Sequence, residues 1–144
     1  MSGQITNYGS ELFLKAILGR SFNVPQVFYI AMVLSAEPTI MSSGSSLDEP
    51  TGPSYERAIF QNSTDRWIIS GTESISNSTA IEFPIANEDW GTAKFFAICD
   101  AQTGGNIIAF GDLATPQEIL ESSQLIIAIG GLSFTLFNTA YEGD

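Results

Sequence analysis

The amino-acid sequence predicts a mainly β domain: an antiparallel β-sandwich of about seven or eight short strands with one N-terminal α-helix. Three observations carry that prediction. Short apolar and aromatic runs recur along most of the chain. Clusters of Gly, Asn, Asp, Ser and Pro separate them at turn-like spacing. Helical periodicity is convincing at one place only, near the start. A length of 144 residues suits a single domain, 1–144, and 44% hydrophobic residues suffice to fill its core.

The helix is predicted within residues 6–19. Ser10 can cap it, Glu11 suits its positive end, and Leu12, Phe13, Ala16 and Ile17 fall at helical spacing. Lys15 and Arg20 suit its other end, and Gly19 supplies the stop. After Pro25, the run at 27–34 is β-branched, aromatic and apolar throughout, which predicts a central strand covered on both faces. Residues 35–54, with Pro38, Pro50, Pro53 and a serine-rich stretch, read as a long loop. Such a loop is either a surface excursion or a contact arm that orders against a neighbour. Short strands are predicted at 55–60 and 67–69, on either side of a turn containing Asn62 and Asp65.

Alternation places Ile81 and Phe83 on one face and Glu82 on the other, and Pro84 is expected to end that strand. Asn87, Glu88 and Asp89 form a turn, and 93–99 is the next strand. Residues 100–106, with Gly104 and Gly105, carry hairpin chemistry, so 107–110 should return antiparallel. Pro116 argues against a simple continuation of that strand. The runs at 125–129 and 132–137 close the sheet on either side of Gly130 and Gly131.

Charge narrows the function. Five basic residues against sixteen acidic ones give −11, which argues against a nucleic-acid partner. Charged residues total only 15%, so part of the surface is expected to be covered by another subunit. Histidine is absent, which removes the commonest general base and transition-metal ligand. Cys99 is the single cysteine, excludes an internal disulfide, and in its apolar run is expected to be a buried, inert thiol. The start lacks a secretory leader and no apolar run approaches the ~20 residues of a membrane helix, so membrane insertion is not expected.

Glu88, Asp89, Asp100 and Asp112 are the candidates for a hydrolytic carboxylate pair. Asp100, Asn106 and Asp112 are hard oxygen donors of the kind calcium takes. All stand at turns or strand ends, where acids serve as solvated or Asx-type turn residues, and that is the reading adopted. Neither catalytic residue, metal site nor cofactor is assigned. Most aromatics fall on strand positions and read as core. Trp67, beside Asp65 and Arg66 at a turn, is the one expected to be exposed, as an interface anchor or a sugar platform.

Several short segments share a familiar order: Tyr55, Glu56, Arg57; Ser76, Asn77, Ser78; Ile81, Glu82, Phe83, Pro84; Trp90, Gly91, Thr92; then Cys99, Asp100, Ala101 followed by Gly104, Gly105, Asn106. With the Leu18, Gly19 step and Phe110, Gly111, Asp112, Leu113, the chain resembles a family of small tailed-bacteriophage structural proteins usually labelled tail fibre-like. The resemblance spans residues 6–137, with Cys99 where Phe is usual. The loop at 41–53 and the tail at 137–144 depart from it. It implies a non-enzymatic virion protein, made in the host cytoplasm, that docks on neighbouring virion subunits and forms a homo-oligomer. Its placement is either capsid cement or decoration, against the major capsid protein, or the tail tip or tail fibre, against tail proteins. Trp67, Met41, Leu47 and Tyr141 are the expected interface residues. The alternative is a receptor-binding adhesin module holding a host-surface glycan.

Overall fold

Strand alternation sorts the apolar side chains into two cores. On β2 (Val27–Val33), Ile30 and Met32 join one buried cluster while Ala31 and Val33 join another. On β7 (Gly91–Cys99), Phe96 and Ile98 go with the first, and Ala97 and Cys99 with the second. The uniform apolar character of 27–34 follows: the strand is central and both its faces are dry.

The computed structural model describes residues 3–20, 24–71 and 74–135, and among them the chain forms ten strands and one α-helix. The remaining elements are β1 (Gly3–Ile5), α1 (Asn7–Ile17), β3 (Ala58–Gln61), β4 (Trp67–Ser70), β5 (Ser74–Asn77), β6 (Ile81–Ile85), β8 (Ile107–Ile119), β9 (Gln124–Ile127) and β10 (Ser133–Thr135). Eight strands make one sheet in the order β3-β2-β7-β8-β1-β10-β5-β4, and β6 pairs with β9 as a second, small sheet. Neighbours are antiparallel except β1 and β10. The small sheet supplies Ile81, Phe83, Leu125 and Ile127 to the first core, opposite Ile30, Met32, Phe96 and Ile98. The large sheet curls enough that its two edge strands meet. The rings of Phe60 on β3 and Trp67 on β4 lie 5.1 Å apart, edge to face.

Several details differ from the sequence reading. β1 and β5 are additional strands, short and poor in large apolar residues. β9 and β10 do not close one sheet but belong to different sheets. Residues 136 and 137 of the expected last strand lie outside the described residues. Pro84 and Pro116 sit inside β6 and β8 rather than at their ends. Each falls at a break in pairing register, between Glu82 and Ile85 and opposite the step from Ala93 to Phe95, where no ladder N–H is required.

The helix starts earlier than Ser10. Thr6 is its N-cap, accepting from the Gly9 N–H at 3.1 Å, and its hydroxyl donates to the β8 carbonyls of Ile107 and Ile108. Gly9 lies so close to β8 that a Cβ there would overlap the Ile108 carbonyl oxygen. Paired bonds from Gly19 N to Ala16 O and Arg20 N to Lys15 O close the C-terminus in a Schellman arrangement. Glu11 therefore stands in the second turn and pairs with Lys15 at 3.6 Å.

Asn77 joins the two sheets. It is fully buried, accepts from Leu132 N at 3.0 Å, and donates to Thr79 O at 2.8 Å and Ala128 O at 3.0 Å. Asn77→Ala removes the acceptor of the buried Leu132 N and one donor each from the Thr79 and Ala128 carbonyls, the latter keeping Gly131 N, and should lower unfolding free energy in urea by about 2 kcal/mol.

Candidate functional site

Two regions hold the residues singled out above. The first lies over the second core. Arg57 precedes β3 and is only 3% exposed, so its charge and all its N–H groups need partners. Nε and Nη2 donate to the two carboxylate oxygens of Glu49 at 3.0 and 2.7 Å. Nη1 donates to the carbonyls of Ala101 and Gly104 at 2.8 and 3.0 Å, and Nη2 to that of Gly44 at 3.0 Å. Tyr55 donates to Glu49 at 2.6 Å and accepts from Met32 N at 3.0 Å. Burial and then the Glu49 charge raise its hydroxyl well above the usual pKa, so it stays a donor. Trp90 stacks edge-on to Tyr55 at 5.3 Å and donates to Glu88 at 2.7 Å, which Ser54 also binds.

These bonds fasten residues 35–54 to the rest of the chain. Gly44 N donates to Gly105 O at 2.9 Å, and Leu34 N to Asp48 O at 2.8 Å. The Asp48 carboxylate accepts from Ser35 N, Ser35 Oγ and Ala36 N, which holds its pKa below the ordinary carboxylate value. The loop is thus bonded to its own sheet and to the β7–β8 hairpin. Leu47, expected at an interface, packs against the chain's own second core.

Three of the candidate acids, Glu88, Asp89 and Asp100, are turn residues, whereas Asp112 stands inside β8 and not at a turn or strand end as expected. Asp100 accepts from Asn106 N and Nδ2 at 2.8 and 3.0 Å, and Asp89 from Glu121 N at 2.9 Å. Asp112 stands opposite Phe95, about 17 Å along β8 from that hairpin. No group of three or more Cys, Asp or Glu side chains able to hold a metal occurs among the described residues. Cys99 is fully buried, and burial pushes its thiol up to about 12.

The second region is apolar. Thr6 and Gly9 fasten the N-terminal end of α1 against β8. Beneath it opens a cavity of about 410 Å³ lined by Leu12, Phe13, Phe28, Trp67, Ile98, Ile108 and Phe134 among others. Asn62 is the polar side chain in that lining. Its amide donates to Pro25 O at 2.7 Å and accepts from Trp67 Nε1 at 3.1 Å. Trp67 is accordingly no open platform: it is half-buried, in edge contact with Phe28, Phe60 and Phe134, and forms a cavity wall. Neutralising its indole N–H on Asn62 is what allows the ring to turn inward.

On the outer side of α1, Leu14 and Ile17 are 58% and 76% exposed, and Leu18 is exposed beside them. Met41 is 81% exposed, one residue from Ile40, whose carbonyl accepts from Asn7 N. Trp67 and Met41 thus lie near α1, Leu47 covers the second core, and Tyr141 lies outside the described residues. The exposed ridge was not singled out from the sequence. Its signal is that Leu12, Phe13, Leu14, Ile17 and Leu18 are too many for one buried stripe.

The described residues thus form a β core with its loops bonded down and an apolar helix face left exposed. Over residues 4–135 the chain matches the family model described as podophage GP4 fiber I protein gp80, and it belongs to that family. It is therefore a phage structural protein of the tail-fibre kind, a component of the virion alongside other virion proteins. No curated protein matches the chain. No helix among the described residues is long and apolar enough to cross a membrane.

Removing the Arg57 guanidinium strands Glu49 and three carbonyls. Arg57→Met should cost about 3 kcal/mol and open residues 35–54 to a broad-specificity protease that leaves the wild-type loop intact. The pH profile follows from Asp48 and Glu88, whose pKa values are lowered on folding. Their contribution is complete above the unfolded value of about 4 and is lost as pH falls through the folded values. Urea stability should be level near neutrality and decline on acidification, more shallowly in Asp48→Asn.

Proposed function

We propose that the chain works without catalysis, as a docking subunit of the tail-fibre apparatus, and that it docks through the outer ridge of α1 and the cavity beneath. The observation that carries this reading is the ridge itself. Leu14, Ile17 and Leu18 stand in water on a helix whose neighbour Phe13 lines an apolar cavity. A contiguous apolar surface of this kind is costly to leave wet and is normally covered by a partner.

The non-catalytic part of the proposal is supported by where the reactive groups sit. Asp89 and Asp100 accept backbone N–H groups at turns, the thiol is buried, and the chain has no histidine. The family description supports the tail rather than the capsid as the place of assembly. Trp67, turned into the cavity wall, lends no support to the glycan-holding alternative.

The test is the double variant Leu14→Ser, Ile17→Ser supplied in place of wild type during infection. Both side chains are exposed, so circular dichroism and urea stability should change by no more than about 0.5 kcal/mol. Copy number in purified particles, measured by mass spectrometry of separated heads and tails, should fall at least tenfold. Normal incorporation of the variant overturns the assignment of this face.

A further inference from the structure

We propose that the cavity beneath α1 is occupied by the chain's own segment after β10, with Leu136 as the side chain that enters it. Residues 136–144 lie outside the described residues. The proposal goes beyond the docking reading above, because it names what holds the cavity before any partner arrives.

Its first support is where β10 stops. The strand runs parallel to β1, with Gly3 opposite Phe134 and Gln4 opposite Thr135. β1 leads directly into α1 through the Thr6 cap, so the chain leaves β10 beside the start of the helix. One more residue in the same register puts Leu136 opposite Ile5, about 7 Å beyond Phe134. Side chains in register on neighbouring strands share a face of the sheet, as do residues two apart on one strand. Both rules give the same face. Phe134 lines the cavity. Ile5 lies against Gly9, also in the lining, so closely that a Cβ on Gly9 would overlap Ile5 Cγ1. Leu136 is therefore directed to the α1 side, at the Gly9 end of the cavity.

The second support is chemistry. The cavity offers a guest no free hydrogen-bonding side chain, because Asn62 is engaged by Pro25 and Trp67. Residues 136–141 carry no charge and include Leu136, Phe137 and Tyr141, while the acids Glu142 and Asp144 come later. An apolar side chain tethered two residues from a cavity wall meets that cavity at high effective concentration, without the entropy loss of joining two molecules. Leaving both in water forgoes the burial of each. A partner entering the cavity must displace this segment, whereas Leu14, Ile17 and Leu18 on the outer side of the helix stay open to docking.

Methyl NOE spectroscopy on the purified full-length chain reads the proposal directly. The Leu136 methyls should show contacts to Ile5 and to at least one of Leu12, Phe13 and Trp67. Acrylamide quenching of tryptophan emission supplies a second measurement, since Trp67 walls the cavity and Trp90 is buried against Tyr55. Leu136→Ser should raise the quenching constant about twofold with an unchanged circular dichroism spectrum, and Leu136→Met, which keeps an apolar chain, should not. Leu136 methyls that reach none of Leu12, Phe13 and Trp67, or quenching that Leu136→Ser leaves unchanged, overturn the segment as occupant. Contacts of the cavity residues to a second copy in a mixed-isotope sample, or to a co-purified lipid, overturn it likewise. The docking reading fails separately. Leu136 contacts as expected, in a chain whose Leu14→Ser, Ile17→Ser variant enters particles at normal copy number, support the segment and overturn docking through the ridge. Loss of that variant from particles, with no Leu136 contact in the cavity, supports docking and overturns the segment.

Discussion

The ion pair between Arg57 and Glu49 is the interaction on which the arrangement of this molecule depends. A guanidinium withdrawn from water must place every N–H on an acceptor, and Arg57 finds its acceptors on Glu49, Gly44, Ala101 and Gly104. Those residues come from two stretches far apart in sequence, the 35–54 loop and the hairpin between β7 and β8. Such a pair contributes little to stability against a hydrophobic replacement of equal volume, yet it tolerates very few geometries. Its effect is to hold the loop where Leu47 closes the second core, which in turn lets β2 be apolar on both faces.

The molecule is consequently divided in kind. Around Arg57 and Trp90, polar groups converge and are used up: Tyr55, Arg57, Glu49, Glu88, Trp90, Asp100 and Asn106 all bond to one another or to backbone. Under α1 the opposite holds, with apolar side chains from many elements around an open space. The segments that make the chain recognisable as a phage structural protein, around Tyr55, Trp90 and the 100–106 hairpin, belong largely to the bonded side.

What could be read in advance follows the same division. The double-faced strand at 27–34, the Ile81 and Phe83 alternation and the 100–106 hairpin were legible because each depends on local pattern and turn chemistry. β5 was not, since Ser74, Ile75, Ser76 and Asn77 earn their place through long-range pairing with β4 and β10. Pro116 misled because a proline inside a strand is excluded only where the ladder is regular, and here it is not. Trp67 misled because exposure depends on what distant residues cover: Phe28 and Phe134 close on a ring whose place beside a turn suggested that it stood open. The helix showed its apolar excess, but which residues stay wet depends on Thr6 and Gly9 tying its N-terminal end to β8.

The meeting of Phe60 and Trp67 has a consequence for a protein concentrated in a particle. Open sheets end in strands with unpaired amides, and identical sheets can add to one another through them without limit, as amyloid does. Here the two terminal strands are four residues each and are drawn together at an aromatic corner. Each edge therefore offers only a short row of amides as a template. Short edge strands of this kind limit strand addition between sheets.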